Sequence, residues 1–262
     1  MAKKQRVDQI LVQRGFAANL DEARRLVMAG QVLMEGQVVF KPSQTVLPEV
    51  ELSLTKKEPF VSRGGEKLQA AFEAFGISVK DRVCADVGSS TGGFTDCLLQ
   101  QGAARVYAVD VGFGLLDWRL RNDPRVTVLE RTNARDLKEL PGPAAFITAD
   151  VSFISLKKIL PAMALWYAKE GGEAVLLVKP QFEASREESA RGAGVISDPS
   201  IHKRVLLEVL GFAAGKGFET WGIIRSPIKG PAGNQEYLAW LKYPGSPGGI
   251  EGIIEEKVNV LF

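Results

Sequence analysis

Charged side chains stand at the ends of several apolar runs in this chain, at positions where a plain core would not place them. Lys179 directly follows Leu176-Leu177-Val178 and precedes Pro180-Gln181-Phe182. An isolated ammonium there is costly unless it is paired or neutral. Asp150 ends the neighbouring apolar run and is the candidate partner, with a purely structural ion pair as the competing reading. Glu236 opens the last apolar run, after a stretch from Ser226 to Gln235 rich in proline and glycine. Lys67 sits among Leu68, Ala71, Phe72 and Phe75, which share one helix face, and behind Val61-Ser62-Arg63-Gly64-Gly65. Alone, Lys67 reads as a solvated helix lysine. Lysines and carboxylates gathered in one pocket can move a proton or stabilise charge that develops during a reaction.

The remaining reactive residues are less well placed. Cys84 lies in an apolar run and Cys97 in a helical pattern, so both read as small core residues. Two cysteines outside any CxxC spacing and a single histidine, His202, give no ligand set for a metal, and none is expected. A glycine-rich turn is more informative: Asp86-Val87-Gly88-Ser89-Ser90-Thr91-Gly92-Gly93-Phe94 closes a strand-like run and opens a helical one. Glycines there let the backbone approach a ligand, and free N–H groups point outward from the helix start. Asp110, ending the next strand-like run, is placed to hold ribose hydroxyls. Dinucleotide enzymes use a similar turn, but their fingerprint is G-x-G-x-x-G and this one is G-x-x-x-G-G behind an acid. Asp86-x-Gly88 instead resembles motif I of class I S-adenosylmethionine methyltransferases. In that class the segment here read as Asn133-Ala134-Arg135-Asp136 contacts adenine; by itself it reads equally as an Asx-turn.

The elements that must position these residues emerge from pattern. Runs 83–87, 106–110, 127–129, 145–150 and 174–178 are short, apolar and β-branched, with helical patterns near 94–101, 114–121, 155–169 and 199–216 between them. This alternation predicts an open, mostly parallel Rossmann-like α/β sheet with ligands at the carboxyl ends of its strands. Runs 220–225 and 236–242 predict a closing antiparallel hairpin. With 262 residues, 45% hydrophobic and 24% charged, the chain has ordinary globular composition and room for one large and one small domain. No apolar leader follows the basic N-terminus, and no run reaches the roughly 18–20 apolar residues of a membrane helix. A cytoplasmic protein without membrane contact is expected. The terminal face of Ile250, Ile253, Ile254, Val258 and Leu261 and the tryptophans 118, 166, 221 and 240 read as core packing. The loop 185–199, with Arg186 and Arg191, reads as either an RNA-closing loop or a mobile connection.

Proline and clustered charge at Lys56-Lys57-Glu58-Pro59 mark a linker, dividing the chain into 1–58 and 59–262. The small part predicts two helices, with Val7, Ile10 and Leu11 on one and Ala23, Leu26 and Val27 on the other. A hairpin of Val32–Met34 and Val38–Phe40 comes next, and a short strand falls within 50–55. The net charge is only +2, so any nucleic-acid grip must be local. Residues 1–34 carry Lys3, Lys4, Arg6, Arg14, Arg24 and Arg25 against Asp8, Asp21 and Glu22, an excess of three positive charges. A solvated face competes with RNA binding on charge alone.

Order of residues narrows the reading. Arg6-Val7-Asp8, Leu11-Val12-x-Arg14-Gly15, Ala23, Gly30-x-Val32 and Gly36 together resemble the S4 RNA-binding module, an α+β unit. Asn19-Leu20 stands where that module often has Ser-Arg, which leaves Arg24 and Arg25 as the stronger phosphate contacts beside Arg6 and Arg14. In the larger part, Asp150-Val151-Ser152-Phe153 lacks the prolines of amino-methylating enzymes, and no cysteine ends a strand as carbon-5 methylation needs. Lys67, Asp150, Lys179 and Glu236 resemble the Lys-Asp-Lys-Glu tetrad of FtsJ-like RNA ribose 2′-O-methyltransferases. Together with the S4-like unit, the chain resembles the TlyA family of ribosomal RNA cytidine 2′-O-methyltransferases, some of them called hemolysins. The resemblance implies catalysis by those four residues. It implies S-adenosylmethionine near Asp86, Gly88, Ser89, Thr91, Gly92, Gly93, Phe94, Asp110, Asn133, Ala134 and Asp150. It further implies ribosomal RNA or a ribosomal subunit as partner, held also by Arg63. Lys179 would contact the ribose hydroxyl, as base if neutral or as stabiliser of the alkoxide if charged, with a base role requiring a drop from the lysine reference of ~10.4. A non-catalytic RNA-binding protein and a membrane-lytic one are the alternatives.

Overall fold

The computed structural model describes residues 4–55, 58–245 and 250–262, with side chains from 254 onward in the last segment. It divides into two compact units, Met1–Glu58 and Pro59–Phe262. Lys3 of the basic N-terminus, Lys56 and Lys57 of the linker, and the side chains of Ile250 and Ile253 of the terminal face lie outside the described residues.

The small unit runs β1 (Gln5–Arg6), α1 (Val7–Gln13), α2 (Leu20–Met28), β2 (Val32–Met34), β3 (Gln37–Val38), β4 (Thr45–Val46) and β5 (Leu52–Leu54). The Asn19 side chain accepts from Glu22 N–H, and Glu22 reaches back to Ala18 N–H, so the start of α2 is capped from both sides. Val7, Ile10, Leu11, Ala23, Val27 and Val32 centre a core of mostly small aliphatics. The hairpin's second strand ends at Val38 rather than Phe40, although Val39 N–H still bonds Val32 O and burial keeps alternating through Phe40.

The large unit contains α3 (Gly64–Phe75), β6 (Val83–Val87), α4 (Gly93–Gln100), β7 (Arg105–Val109), α5 (Trp118–Arg121), β8 (Val126–Leu129), β9 (Phe146–Ala149), a 3-10 turn (Leu156–Lys158) and α6 (Leu160–Met163). It continues with β10 (Gly172–Val178), α7 (Pro180–Glu183), α8 (Arg186–Arg191), α9 (Pro199–Ala214), β11 (Glu219–Arg225), β12 (Tyr237–Tyr243) and α10 (Ile250–Asn259). Its seven strands run in the order β11-β12-β10-β9-β6-β7-β8, parallel from β10 to β8 and antiparallel at β12 and β11. Period-two alternation sends Ala85, Val87, Leu176 and Val178 to a core under α6 and α9, and Cys84, Val175 and Leu177 to one under α3 and α4. Ile254 and Val258 of α10 join the first core.

Several sequence expectations are corrected. The helix near 114–121 shrinks to α5, because the carboxylates of Asp110 and Glu130 hold Gly112 and Gly114 N–H in a loop and Asp117 caps only the short helix beyond it. The helix over 155–169 ends at Met163, where the chain turns so that Ala144 N–H bonds Trp166 O and pairs with Tyr167. The loop 185–199 contains α8, started by a reciprocal Ser185–Glu188 capping box. Trp118 and Trp221 are exposed, whereas Trp166 is core. No helix among the described residues is long and apolar enough to cross a membrane.

Candidate active site

Strand order brings the charged residues to one edge of the sheet. Asp150 follows β9, Lys179 follows β10, and Glu236 precedes β12, which runs the opposite way and so begins at the same edge. The register pairs Val178 with Tyr237, setting Lys179 and Glu236 side by side. α3 delivers Lys67 from above. The four form two ion pairs: Lys67 Nζ lies 2.6 Å from Glu236 Oε2, and Lys179 Nζ lies 2.5 Å from Asp150 Oδ1. Lys179 Nζ also donates to Ser152 Oγ at 3.0 Å, the better-aligned of its two contacts. Glu236, 1% exposed, receives a second bond from Gln181 Nε2.

These pairs line a polar cavity of about 280 Å³, whose wall includes Ser62, Arg63, Gly64, Ser89, Thr91 and Lys229 as well as Gly93 and Phe94. A second cavity of about 360 Å³ adjoins it, with largely apolar walls from Val109, Val111, Leu115, Ala134, Val151 and Ile154. Gly88, Ser90, Asp150 and Ser152 border both. Gly88 has φ +80°, and a Cβ there would stand 2.5 Å from Asp150 O, so only glycine allows the two loops to meet. The second cavity suits a purine nucleoside. Asp110 sits on its rim, and Asn133 and Ala134 lie on its wall. Asp110 already accepts N–H bonds from Ser90 and Gly112, so its carboxylate orients the glycine turn as well. Asn133 also forms an Asx-type bond to Arg135 N–H.

Two of the cofactor residues expected from sequence lie behind these walls. Gly92, at φ +99°, faces Leu116 and Leu120, where a Cβ would collide. Asp86 is fully buried and accepts from Thr95 Oγ1 at 2.7 Å and Thr148 Oγ1 at 3.0 Å, tying β6 to α4 and β9. Burial pushes its carboxyl up to about 7, although both threonine bonds pull the other way. Cys84 and Cys97 are buried in the core, which pushes their thiols upward and keeps thiolates out of reach. Among the described residues no group of His, Cys, Asp and Glu could hold a metal.

Phe153 belongs to the Asp150–Phe153 segment but carries no site expectation of its own. It is 92% exposed at φ +62°, on the lip of the second cavity, with its ring 5.0 Å from that of Phe182. This exposed aromatic is therefore held in the sparsely populated left-handed region three residues from Asp150. Its sequence signal is the place it shares with the aromatic of Asp/Asn-Pro-Pro-Tyr segments. Ser152 and Lys229 have no local signal.

On the small unit, Asp8 is fully buried and ion-paired to Arg6 at 2.6 Å and Arg24 at 3.4 Å. The Arg6 guanidinium holds the Asp8 carboxyl below the usual carboxylate range. Arg14 donates to the carbonyls of Val50 and Pro48. Arg25 is exposed and, among the described residues, has no such partner. Arg63 belongs to the large unit and lines the wall of its polar cavity.

Comparison with known proteins fits this geometry. The family profile "FtsJ-like methyltransferase" matches residues 60–243, and "S4 domain" matches residues 5–52. YqxC of Bacillus subtilis (strain 168), an rRNA methyltransferase by name, is 44% identical over 98% of this chain and 92% of its own. The 16S/23S rRNA (cytidine-2′-O)-methyltransferase TlyA of Mycobacterium tuberculosis is 46% identical over 92% of this chain and 91% of its own. A solved Streptococcus thermophilus structure, described as a hemolysin, superposes with TM-score 0.73 at 43% identity, covering 99% of this chain and 96% of its own. With that similarity along nearly its whole length, and with both domains in place, the chain belongs to the TlyA family of S4-containing, FtsJ-like methyltransferases.

Proposed function

We propose that this protein transfers a methyl group from S-adenosylmethionine to the ribose 2′-hydroxyl of a cytidine in 16S or 23S ribosomal RNA, acting in the cytoplasm on RNA or an assembled subunit. The observation that carries the reading is the junction of the two cavities. A nucleoside-sized apolar pocket opens beside Lys179, Asp150 and Ser152 into a polar one that holds the second ion pair. Neither passive RNA binding nor membrane lysis calls for a nucleoside-sized pocket joined to two such ion pairs.

S-adenosylmethionine, bound along Gly88, Asp110, Asn133 and Ala134, would supply an electrophilic methyl group. The protein's own task is alignment and charge. Lys179 holds the 2′-oxygen at the junction and stabilises the charge that grows on it while the hydroxyl proton passes to the Asp150 carboxylate. Asp150 and Ser152 fix the lysine from two directions. Lys67, locked by Glu236, faces the same cavity with Arg63 and Lys229, a cationic set suited to the nucleotide's phosphates. Phe153 offers a stacking face for a base turned out of its helix. The S4 unit adds affinity through Arg25 and the outward edges of Arg6, Arg14 and Arg24. Lys179→Ala tests the assignment: methyl transfer falls to background while S-adenosylmethionine binding, measured by calorimetry, stays near wild type. Unchanged turnover removes Lys179 from the mechanism.

A further inference from the structure

The helical turn α7 follows Lys179 immediately, and its three side chains after Pro180 reach three different parts of the site. Gln181 Nε2 donates to Glu236 Oε1, and the Phe182 ring lies against Phe153. Glu183 makes the tightest contacts of the three. Its Oε2 accepts from Ser155 Oγ at 2.6 Å, and its Oε1 accepts from Leu156 N–H at 2.7 Å. Both donors belong to the segment that runs on from Asp150, Ser152 and Phe153. That segment contains a residue at positive φ and only a 3-10 turn behind it, so little in its own backbone holds its shape.

The geometry points to Glu183 as a positioning residue, a carboxylate that clamps the Asp150–Ser155 segment to the strand end carrying Lys179. The inference rests on the methyl-transfer reading above, and it assigns a role to a side chain that lines neither active-site cavity. Without the clamp, Ser155 Oγ and Leu156 N–H lose their acceptor, and Phe153, Ser152 and Asp150 are free to shift relative to Lys179. Burial raises the Glu183 carboxyl, against the pull of the Ser155 and Leu156 bonds and of Lys157, with Glu208 adding to the rise. The site therefore bears a desolvation cost to keep an acceptor there, which a solvated surface glutamate does not. A glutamine could serve, since its oxygen can take the Leu156 N–H while its amide donates to Ser155 Oγ.

The test compares Glu183→Ala, Glu183→Gln and Ser155→Ala in the full chain. Initial rates are measured with S-adenosylmethionine and unmethylated ribosomal subunits. Hydrogen exchange is followed over residues 150–157, and thermal unfolding is recorded in parallel. Misplacing reacting groups by about an ångström costs on the order of a hundredfold. Glu183→Ala is expected to lower kcat between about tenfold and a hundredfold and to speed exchange at Leu156 and across 150–154. Glu183→Gln restores most of both. Ser155→Ala, which keeps the carboxylate in place, gives a smaller loss, and the Ser155/Glu183 double alanine variant is no worse than Glu183→Ala alone. Unchanged exchange in Glu183→Ala overturns the clamp whatever the activity, and so does a kcat within twofold of wild type in an active preparation. Equal damage from glutamine and alanine overturns the acceptor role. Wild-type protein that transfers no methyl to RNA refutes the functional reading instead, and exchange still decides the clamp. Should Glu183→Ala fail to fold, Ser155→Ala reads the same exchange signal.

Discussion

Removing Glu236 alone should be far worse than removing Glu236 and Lys67 together. The Lys67 side chain is 10% exposed and that of Glu236 1%, and their atoms meet at 2.6 Å. Glu236→Ala leaves the ammonium without its counter-charge and with only the water of the polar cavity around it, a loss of up to roughly 3–5 kcal/mol. For a domain of this size, each kcal/mol shifts the melting temperature by roughly 2–4 °C, so a drop of about 6–20 °C is expected. Lys67→Met combined with Glu236→Leu takes both charges away and fills the space with apolar groups. Gln181 Nε2 then lacks its acceptor, which costs about 1–3 kcal/mol and prevents full recovery. The double variant should nevertheless sit clearly above Glu236→Ala, and the cycle closed with the single variants Lys67→Met and Glu236→Leu should give a coupling energy of at least about 2 kcal/mol. Methyl transfer is lost in every one of these proteins, because stability and catalysis use the pair differently. Urea unfolding at pH 7 gives the stabilities, and methyl incorporation into ribosomal subunits gives the activities. Additive stability losses, or a double variant that retains turnover, would refute the reasoning.

Other parts of the structure lead to three further outcomes. With its carboxyl pushed up to about 7, Asp86 binds a proton more readily in the folded chain than in the unfolded one. Its contribution is therefore greatest at acid pH and declines as pH rises from about 4 to about 7, by at most about 1.4 kcal/mol per pH unit. Urea unfolding should show Asp86→Asn flattening that slope, and an identical slope in variant and wild type contradicts the burial argument. Phe153→Ala should weaken productive RNA binding by the worth of one stacked base, about 1–3 kcal/mol or roughly 5- to 150-fold in KM, with Phe153→Trp near wild type. An unaltered KM in the alanine variant rules out the stacking role. Deleting residues 1–58 should weaken capture of ribosomal RNA and reduce its salt dependence while leaving S-adenosylmethionine binding intact, and equal methylation by the shortened protein would show the S4 unit to be dispensable.

The parallel strands and the charges that end two of them, Asp150 and Lys179, are legible in the sequence for the same reason, whereas Lys67, on a helix, stands out only through the family resemblance. A parallel strand buried on both faces is a short apolar run, and a charge at its end is conspicuous against it. β6 spans Val83–Val87 in the structure as the apolar pattern indicates. The pairing within the tetrad is less accessible, since Lys67 and Glu236 stand 169 residues apart and meet only through the placement of β12 inside the sheet. Conformation at single residues is invisible. Nothing local shows that Phe153 takes a positive φ and leaves the core, or that Glu183 turns inward. Charge counting on the S4 unit has a different blind spot. It treats Asp8 as a solvated counter-charge, whereas Asp8 is buried and takes up Arg6 and Arg24 together. Local patterns also overextend two helices, at 114–121 and 155–169, where side-chain acceptors and a bridge to Ala144 capture the backbone first.

The central claim is chemical, and mapping of methylated nucleotides tests it most directly. Unmethylated 16S and 23S ribosomal RNA, free and in subunits, is incubated with S-adenosylmethionine and either the wild-type protein or Lys179→Ala, and ribose methylation is then mapped at nucleotide resolution. The proposed function predicts a 2′-O-methyl group on cytidine with the wild-type protein, and the place of Lys179 at the cavity junction predicts none with the variant. Methyl groups on a base, or the same ribose methylation from both proteins, would contradict that chemistry.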